Sequence, residues 1–283
     1  MKPTKNRHPR WLKVPLPAGQ NFHDIRNLIR RKNLHTVCQS AHCPNIGECW
    51  NSRTATFMIL GETCTRDCHF CAVNTGTPVD VDSNEPYRVA EAVKTIELKY
   101  AIITSVTRDD LPDGGASVFA ETIEQIHKQV PGCKVEVLIP DFMGDETALN
   151  TVINVKPEVL NHNLETVPRI YSSVRPQADY QRSIQLLSRA KQAGMVTKSG
   201  LMLGLGETID EILQVMNDLQ AVNCDILTLG QYLQPSSDHL PIIRYVSPQE
   251  FNMLKQQGLK MGFKYIESGP LVRSSYHAAS QLF

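Results

Sequence analysis

The sequence predicts an α/β fold in which six strand–helix units form a partial TIM-type barrel. After residue 54, short runs of apolar and β-branched residues alternate with segments of helical periodicity. Such alternation is typical of a parallel sheet covered by helices. The runs are almost unbroken by polar residues, as expected for strands buried on both faces. At 283 residues and 41% hydrophobic composition, the chain is long enough for one core of this size.

Each strand of the predicted barrel corresponds to one apolar run. The six runs are 55–60, 101–106, 135–140, 159–164, 196–203 and 225–229. Between them, apolar residues recur at helical spacing in two clear stretches. These residues are Phe119, Ile123, Ile126 and Val130, and then Ile209, Ile212, Leu213, Met216 and Leu219. The barrel is therefore expected to span 54–245, with an N-terminal extension of 1–53 and a C-terminal helix and extension of 246–283.

The charges balance over the whole chain but not along it. The 29 Lys and Arg residues match the 29 Asp and Glu residues, so no global positive field favours nucleic-acid binding. Residues 1–35 nevertheless hold nine basic residues and a single acid. This region is either a solvated tail that folds back on the acidic remainder or a docking surface for an acidic partner.

Neither a membrane span nor a secretory signal is predicted. No apolar run approaches the ~18 residues that a span needs, and residues 1–20 contain prolines and charges instead of an apolar signal core. A cytoplasmic protein without a membrane partner is expected. In such a protein, eight cysteines are more readily explained as metal ligands or redox groups than as a disulfide framework.

Six of the eight cysteines form two groups of three within residues 38–71. The first group has four and then five residues between its cysteines, and the second has three and then two. Three thiolates from one loop can bind three irons of a cubane cluster and leave the fourth iron open to an exchangeable ligand. The alternative is a structural zinc site that adds a histidine such as His69. Cys133 and Cys224 stand apart and are expected to be buried as small apolar side chains.

The second cysteine group resembles the cluster motif of the radical S-adenosylmethionine (SAM) superfamily. Its sequence is Cys64-Thr-Arg-Asp-Cys68-His-Phe70-Cys71, and it follows the first strand, at the barrel edge where such folds collect their chemistry. The resemblance implies a 4Fe–4S cluster on the three cysteines, with SAM on the open iron as the source of a 5′-deoxyadenosyl radical. Phe70 is expected to contact the cofactor. The protein then positions the cofactor and excludes water.

Three further loops follow strand ends and are expected to face the same cavity. They are 104–116, 161–166 and 204–207. In the first, Gly114 and Gly115 present no Cβ barrier to a ligand, and the resemblance implies that they hold the SAM amino group. It likewise implies cofactor contacts at Asn163 and at Glu165, which suits a ribose diol. Arg175 suits a carboxylate because a guanidinium offers paired donors.

The first cysteine group precedes the barrel, where a single-cluster enzyme would need no ligands. Cys38, Cys43 and Cys49, in Thr-Val-Cys-Gln-Ser-Ala-His-Cys-Pro-Asn-Ile-Gly-Glu-Cys-Trp, resemble the auxiliary-cluster motif of the lipoyl synthase family. The likeness runs nearly end to end and includes the C-terminal segment Arg-Ser-Ser-Tyr-His-Ala. It implies a serine oxygen as the fourth ligand, which we assign to Ser275 and not Ser274. Such an oxygen, once protonated, leaves iron more readily than a thiolate and suits a cluster that surrenders sulfide.

The family resemblance implies insertion of two sulfur atoms at C6 and C8 of a protein-bound octanoyl-lysine. The auxiliary 4Fe–4S cluster donates the sulfur, with Ser275 as its catalytic ligand. A general base cannot remove unactivated methylene hydrogens near neutral pH, so the histidines are expected to be surface or supporting groups; they are His23, His35, His42, His69 and His277. The implied partners are octanoylated lipoyl-carrier domains of 2-oxoacid dehydrogenases or glycine-cleavage H protein, an electron donor such as ferredoxin or flavodoxin, and an iron–sulfur carrier for cluster repair.

Two other functions compete with this interpretation. One is a sulfur-inserting radical SAM enzyme of the biotin-synthase type that acts on a free small molecule. The position of the first cysteine group ahead of the barrel argues against it. The other is a non-catalytic interaction protein with two zinc sites, which iron, sulfide and zinc analysis would distinguish.

Overall fold

A computed structural model describes residues 9–282. Lys2, Lys5 and Arg7 of the basic N-terminal segment lie outside the described residues. The strands are β1 (His35–Thr36), β2 (Thr56–Ile59), β3 (Thr63–Cys64), β4 (Asn74–Thr75), β5 (Tyr100–Ser105), β6 (Lys134–Leu138), β7 (Val159–Asn161), β8 (Thr197–Leu203), β9 (Ile226–Gln231) and β10 (Tyr265–Gly269). The α-helices are α1 (Gln20–Arg31), α2 (Val37–Ser40), α3 (Ile46–Asn51), α4 (Glu85–Ile96), α5 (Ala116–Gln129), α6 (Glu146–Asn154), α7 (Tyr171–Val174), α8 (Tyr180–Gln192), α9 (Ile209–Ala221) and α10 (Pro248–Met261).

The main sheet is an open barrel of mostly parallel strands. Its order is β1-β2-β5-β6-β7-β8-β9-β10, with β1 antiparallel to β2 and every other neighbouring pair parallel. All six predicted strands are present, which confirms the α/β barrel. β10 extends the parallel sheet beside β9, and the sequence analysis did not identify it. Its sequence Tyr-Ile-Glu-Ser-Gly lacks a continuous apolar run, and only Ile266 is buried.

Helices cover the outer face of the sheet and bury most of the predicted apolar stripes; Val130, Ile209 and Leu213 are half-buried, and Val130 lies just beyond α5. Phe119, Ile123 and Ile126 of α5 are fully buried, as the helical spacing predicted. Ile212, Met216 and Leu219 of α9 are fully buried as well. Burial of each such side chain stabilises the fold by roughly 1.5–3 kcal/mol. The isolated cysteines Cys133 and Cys224 are buried in the two apolar clusters, which confirms the prediction for both.

The inner face of the sheet carries polar side chains. Val135 and Val137 of β6 pack in the outer apolar cluster, so Glu136 between them points inward. The Glu136 carboxylate accepts hydrogen bonds from Lys198 Nζ at 2.9 Å and from Tyr100 Oη at 2.7 Å. Lys198 and Glu136 are both fully buried. Each charge is paired with the other, because burial of either charge without its partner would be costly.

Both ends of the chain pack beside the barrel opening. Helices α2 and α3 carry the first cysteine group, and α1 packs on α3 and α4. After β10, the C-terminal segment reaches back to the same region, where Ala278 packs on Tyr100 and Ile102. In residues 9–282, no helix combines the length and apolarity that crossing a bilayer requires.

Candidate iron–sulfur and cofactor sites

The first cysteine group forms one wall of a small cavity, which we call the auxiliary cavity. Cys38, Cys43 and Cys49 line it together. Tight backbone turns bring the three together: Cys43 N donates to Cys38 O at 3.0 Å, and Cys49 N donates to Asn45 O at 2.9 Å. Thr36 caps the start of α2 by accepting a hydrogen bond from Gln39 N.

The C-terminal segment forms the opposite wall of the auxiliary cavity. Arg273, Ser275 and Tyr276 line it, whereas Ser274, which is also described, is not among the lining residues. Asn45 Nδ2 donates to Leu271 O at 2.7 Å across 226 residues of sequence. This bond anchors the C-terminal segment to the cysteine segment.

Glu48, next to Cys49, makes a second attachment between these segments. Its carboxylate accepts a hydrogen bond from Tyr276 Oη at 3.2 Å and lies 3.4 Å from His277 Nε2. The two aromatic rings are stacked, with centroids 3.9 Å apart. Ser275, the residue before Tyr276, is thereby held at the cavity wall.

The thiols of the auxiliary cavity have raised pKa values, unlike the cysteines of a reactive redox pair. Burial raises the pKa of Cys38 to about 11, with a further contribution from Cys43. Burial and the neighbouring cysteines also raise the pKa of Cys49 to about 12. Reactive cysteines have lowered pKa values, whereas metal binding itself removes the protons of buried thiols. Three clustered thiols, one hydroxyl and the guanidinium of Arg273 fit an anionic iron–sulfur cluster.

The second cysteine group lies on the loop that follows β2, at the carboxyl end of the strands. Cys64 Sγ accepts hydrogen bonds from the backbone amides of Thr107 at 3.3 Å and Arg66 at 3.4 Å. Cys71 N donates to Cys68 O at 2.8 Å and closes a tight turn. Burial raises the pKa of Cys71 to about 12, and the charges of Cys68 and Cys64 add to the shift. The three sulfurs are therefore neighbours.

The ligands of a cubane cluster need not converge on one point, as the ligands of a single metal ion must. Residues 9–282 contain no group of three His, Cys, Asp or Glu side chains that could hold one metal ion. In a cubane, each cysteine binds a different iron. His69, the histidine considered for a zinc site, has its Nδ1 2.8 Å from the carbonyl oxygen of Ser173.

Three of the predicted cofactor contacts come together beside Cys68. Asn163 Nδ2 donates to Glu165 Oε1 at 3.0 Å, and Arg175 Nη1 donates to the Asn163 carbonyl at 2.8 Å. Burial raises the pKa of Cys68, and the positive charge of Arg175 opposes this effect. Burial raises the pKa of Glu165, against the opposing influence of Arg175 and Asn163.

Two buried polar atoms of this group have no hydrogen-bond partner within the described chain. They are Asn163 Oδ1, an acceptor, and Arg175 Nε, a donor. Buried polar atoms are rarely left unpaired. A ligand with both amino and carboxylate groups would satisfy them, so the residues fit SAM.

Gly114, Gly115 and Phe70 lie around the same end of the barrel. Both glycines have positive φ, +60° and +87°, where a Cβ is strained. A Cβ on Gly115 would also collide with Leu60, and one on Gly114 would come within 3.0 Å of Phe142. The positive φ angles and the packing against Leu60 and Phe142 therefore require glycine at both positions. Phe70 packs against a small apolar cluster formed by Val174, Leu205 and Tyr232.

Four residues of these sites were missed by sequence analysis. Arg66 and Asp141 form a buried ion pair, Arg273 lines the auxiliary cavity, and His239 Nε2 lies 2.9 Å from Cys71 O. Two of them carried a signal in the sequence: Arg66 lies inside the second cysteine motif, and Arg273 begins the C-terminal segment that resembles the lipoyl synthase family. The histidines that the sequence placed at the surface or in supporting roles are exposed or half-buried; they are His23, His35, His42, His69 and His277.

Family models match two parts of this chain, and curated relatives match almost its whole length. Residues 58–219 match the radical SAM superfamily, and residues 1–43 match the N-terminal domain of lipoyl synthase. Lipoyl synthase of Rubrobacter xylanophilus is 59% identical over 98% of this chain and 88% of its own length. That of Koribacter versatilis is 59% identical over 96% of this chain and 90% of its own.

Solved structures share the fold at low sequence identity. Streptococcus suis SuiB bound to S-adenosylmethionine aligns with a TM-score of 0.60 at 10% identity, over 76% of this chain and 50% of that one. HydG, a maturase of the [FeFe]-hydrogenase, aligns with a TM-score of 0.56 at 16% identity, over 92% and 75%. These likenesses support the barrel alone. The family matches and the near full-length identity to curated relatives show that this chain belongs to the lipoyl synthase family of the radical SAM superfamily.

Proposed function

We propose that this chain inserts two sulfur atoms at C6 and C8 of an octanoyl group carried on a protein lysine. The observation that carries the proposal is the pair of separate cysteine triads on one barrel, one of them facing a serine hydroxyl. Curated relatives named lipoyl synthase, matched over 88% and 90% of their own length, support it. Two 4Fe–4S clusters and SAM are the cofactors of this family.

The radical site consists of the loop after β2 and the neighbouring loops at the same end. Cys64, Cys68 and Cys71 would bind three irons of a 4Fe–4S cluster. The residues that would hold SAM are Phe70, Gly114, Gly115, Asn163, Glu165 and Arg175. Cluster and SAM together supply a radical able to remove a hydrogen atom from an unactivated methylene group. The protein residues bind and orient the cofactor, and Phe70 with its apolar neighbours excludes water.

The auxiliary site is the cavity of Cys38, Cys43, Cys49 and Ser275. A 4Fe–4S cluster held there supplies the sulfide that is transferred to the substrate. Arg273 lines this cavity, and its positive charge acts on both Cys43 of the auxiliary site and Glu165 of the radical site. A hydroxyl ligand that regains its proton becomes a poor ligand, which would let Ser275 open one corner of the site.

The division of the chain follows from these assignments. Residues 54–245 would carry the radical site, while 1–53 and 246–283 would enclose the auxiliary site. The proposed partners are octanoylated lipoyl-carrier domains of 2-oxoacid dehydrogenases or glycine-cleavage H protein, a ferredoxin or flavodoxin, and an iron–sulfur carrier for repair. We place the reaction in the cytoplasm.

Replacing Ser275 with alanine should lower sulfur insertion at least about 10- to 100-fold. This is the usual loss when a residue that supports a metal ligand is replaced, and Ser275 is proposed as a ligand itself. Formation of 5′-deoxyadenosine should persist, because the radical site does not contain this hydroxyl. Both products are measured by mass spectrometry under anaerobic conditions. Ser274→Ala is the matched control, since Ser274 is equally half-buried but does not line the cavity. A larger loss with Ser274→Ala would contradict the assignment.

Neutralising the exposed arginines of α1 should weaken binding of an acidic carrier domain. Arg26, Arg30 and Arg31 are exposed, whereas Lys32 pairs with Glu91 at 2.9 Å. With exposed pairs worth roughly 0.2–1 kcal/mol each, replacing all three by glutamine should raise Kd about 3- to 100-fold at low salt. The difference should shrink at high salt.

The control for this binding measurement removes two exposed charges elsewhere. Lys128 and Lys134 are exposed, one on α5 and one on β6. Their replacement by glutamine should leave Kd nearly unchanged. Equal effects of both variants, or a Kd that does not respond to salt, would rule out α1 as the docking surface.

The function itself is tested with reconstituted protein, SAM, a reductant and an octanoyl-lysine peptide under anaerobic conditions. The expected product carries two added sulfur atoms. Free octanoate is the parallel substrate, and its thiolation in preference to the peptide would favour the biotin-synthase type of function. Absence of any sulfur-containing product would reject the proposal.

A further inference from the structure

Arg66 lies inside the second cysteine motif, two residues after Cys64, yet its side chain is buried. Only 3% of the guanidinium-bearing side chain is exposed. Its Nε donates to Asp109 Oδ2 at 2.6 Å and its Nη2 to Asp109 Oδ1 at 2.8 Å, a two-pronged pair. Nη2 also donates to Asp141 Oδ1 at 2.6 Å. One guanidinium thus joins the cysteine loop to the loops that follow β5 and β6.

The partner Asp141 is itself fixed in place. Its side chain is fully buried, and its other oxygen accepts from Arg182 Nη1 at 3.1 Å. Met143 N donates to the Asp141 carboxylate at 3.1 Å. Burial alone would raise the pKa of Asp141, but the hydrogen bonds and charge of Arg66 outweigh it and hold the pKa at about 2. The carboxylate is ionised at any pH at which the protein functions.

The backbone of the same stretch also reaches the Cys64 sulfur. The amide of Arg66 donates to Cys64 Sγ, and so does the amide of Thr107. Thr65 bonds the Thr107 carbonyl through both its amide and its hydroxyl at 3.0 Å. Fixing Arg66 therefore also fixes two N–H groups that point at a thiol. Such outer contacts orient metal ligands and adjust the properties of the metal.

We infer that Arg66 is a positioning residue that, through Asp109 and Asp141, holds Cys64 in the orientation that binds the radical-site cluster. This inference rests on the proposed function, because it assigns a cluster to Cys64, Cys68 and Cys71. It adds that the stability of this one cluster depends on a buried ion-pair network outside the cysteines. The auxiliary cavity lies apart from that network and should not depend on it.

The test is cluster retention in the full-length reconstituted protein with Arg66→Lys. Lysine keeps the charge but cannot make the paired bonds to Asp109. Iron is removed with a chelator, and the two clusters are followed by electron paramagnetic resonance of reduced samples, the radical-site signal being the one that changes when SAM is added. We expect that signal to disappear about 10- to 100-fold faster than in the unmodified protein. The SAM-insensitive signal should decay at its normal rate and serves as an internal check on folding.

Two further variants sharpen the test. Asp109→Asn removes the other half of the pair, and its effect should not add to that of Arg66→Lys, since both break one interaction. Arg108→Lys is the matched control: Arg108 is similarly buried and paired with Asp110 at 2.8 Å, but its other bond is to Leu60 O, directly after β2, and not to the cysteine motif that begins at Cys64.

Three outcomes would overturn the inference. They are normal retention of the SAM-sensitive signal in Arg66→Lys, equal acceleration for both clusters, or an equal effect of Arg108→Lys. If the unmodified protein shows no SAM-sensitive signal at all, the proposed function fails first, and the two failures are thereby distinguished.

Discussion

Replacing Cys68 with alanine should abolish both 5′-deoxyadenosine formation and sulfur insertion. Cys68 lies among Cys64, Cys71 and Arg175, at the point where the proposed cluster and the proposed cofactor contacts meet. Without this thiolate, the cluster loses one of three protein ligands. Since loss of a mere outer-shell partner costs 10–100-fold, we expect each product to fall more than about 100-fold. Both are quantified in one anaerobic incubation by mass spectrometry.

Cys133→Ala is the control for this variant. Cys133 is also a buried thiol, but it packs in the outer apolar cluster, away from both triads. Its replacement leaves a small cavity that costs stability, while both products should form at close to the normal rate. Normal 5′-deoxyadenosine formation by Cys68→Ala would show that the second triad does not hold the radical-generating cluster.

Replacing Cys43 with alanine should separate the two activities. Cys43 faces the auxiliary cavity together with Cys38, Cys49 and Ser275, and none of the proposed SAM contacts lines that cavity. We expect 5′-deoxyadenosine formation to stay within about twofold of normal, as for distant and independent sites. Sulfur insertion should fall to background. Iron content should drop from about eight to about four atoms per chain, one cubane having been lost.

The two variants should differ: Cys68→Ala loses both activities, whereas Cys43→Ala loses only sulfur insertion. Loss of both activities in Cys43→Ala, with iron falling to zero, would mean that the triads fold or load as one unit. Retained sulfur insertion would mean that the auxiliary cavity is not the sulfur source. Stoichiometric zinc in place of iron would support the non-catalytic alternative.

Much of the barrel could be predicted because its strands are nearly continuous apolar runs. The run at 135–140 became β6, and the stripe of Phe119, Ile123 and Ile126 became the buried face of α5. β10 could not be found in this way, because Glu267 and Ser268 interrupt its apolar character and only Ile266 is buried. The identity of β10 as a strand comes from its pairing with β9, a tertiary effect that propensity does not encode.

Some features of the candidate sites could be predicted from the sequence and others could not. Spacing alone grouped the cysteines, since residues close in sequence must be close in space. Nothing local connects Asp141 to Arg66 or Leu271 to Asn45, which are 75 and 226 residues apart. Burial of a charged side chain could not be predicted from the sequence either. Arg66 is typical of a surface charge in a polar loop, yet its side chain is almost completely buried.

We propose that one cluster of this chain starts the reaction and that the other is consumed by it. The most direct measurement is a single incubation of protein whose clusters were reconstituted with isotopically heavy sulfide, with unlabelled sulfide in the buffer. Heavy sulfur in both inserted positions, at no more than one product per chain, is the result expected. Product that contains unlabelled sulfur, or that accumulates beyond one equivalent without new clusters, would contradict it.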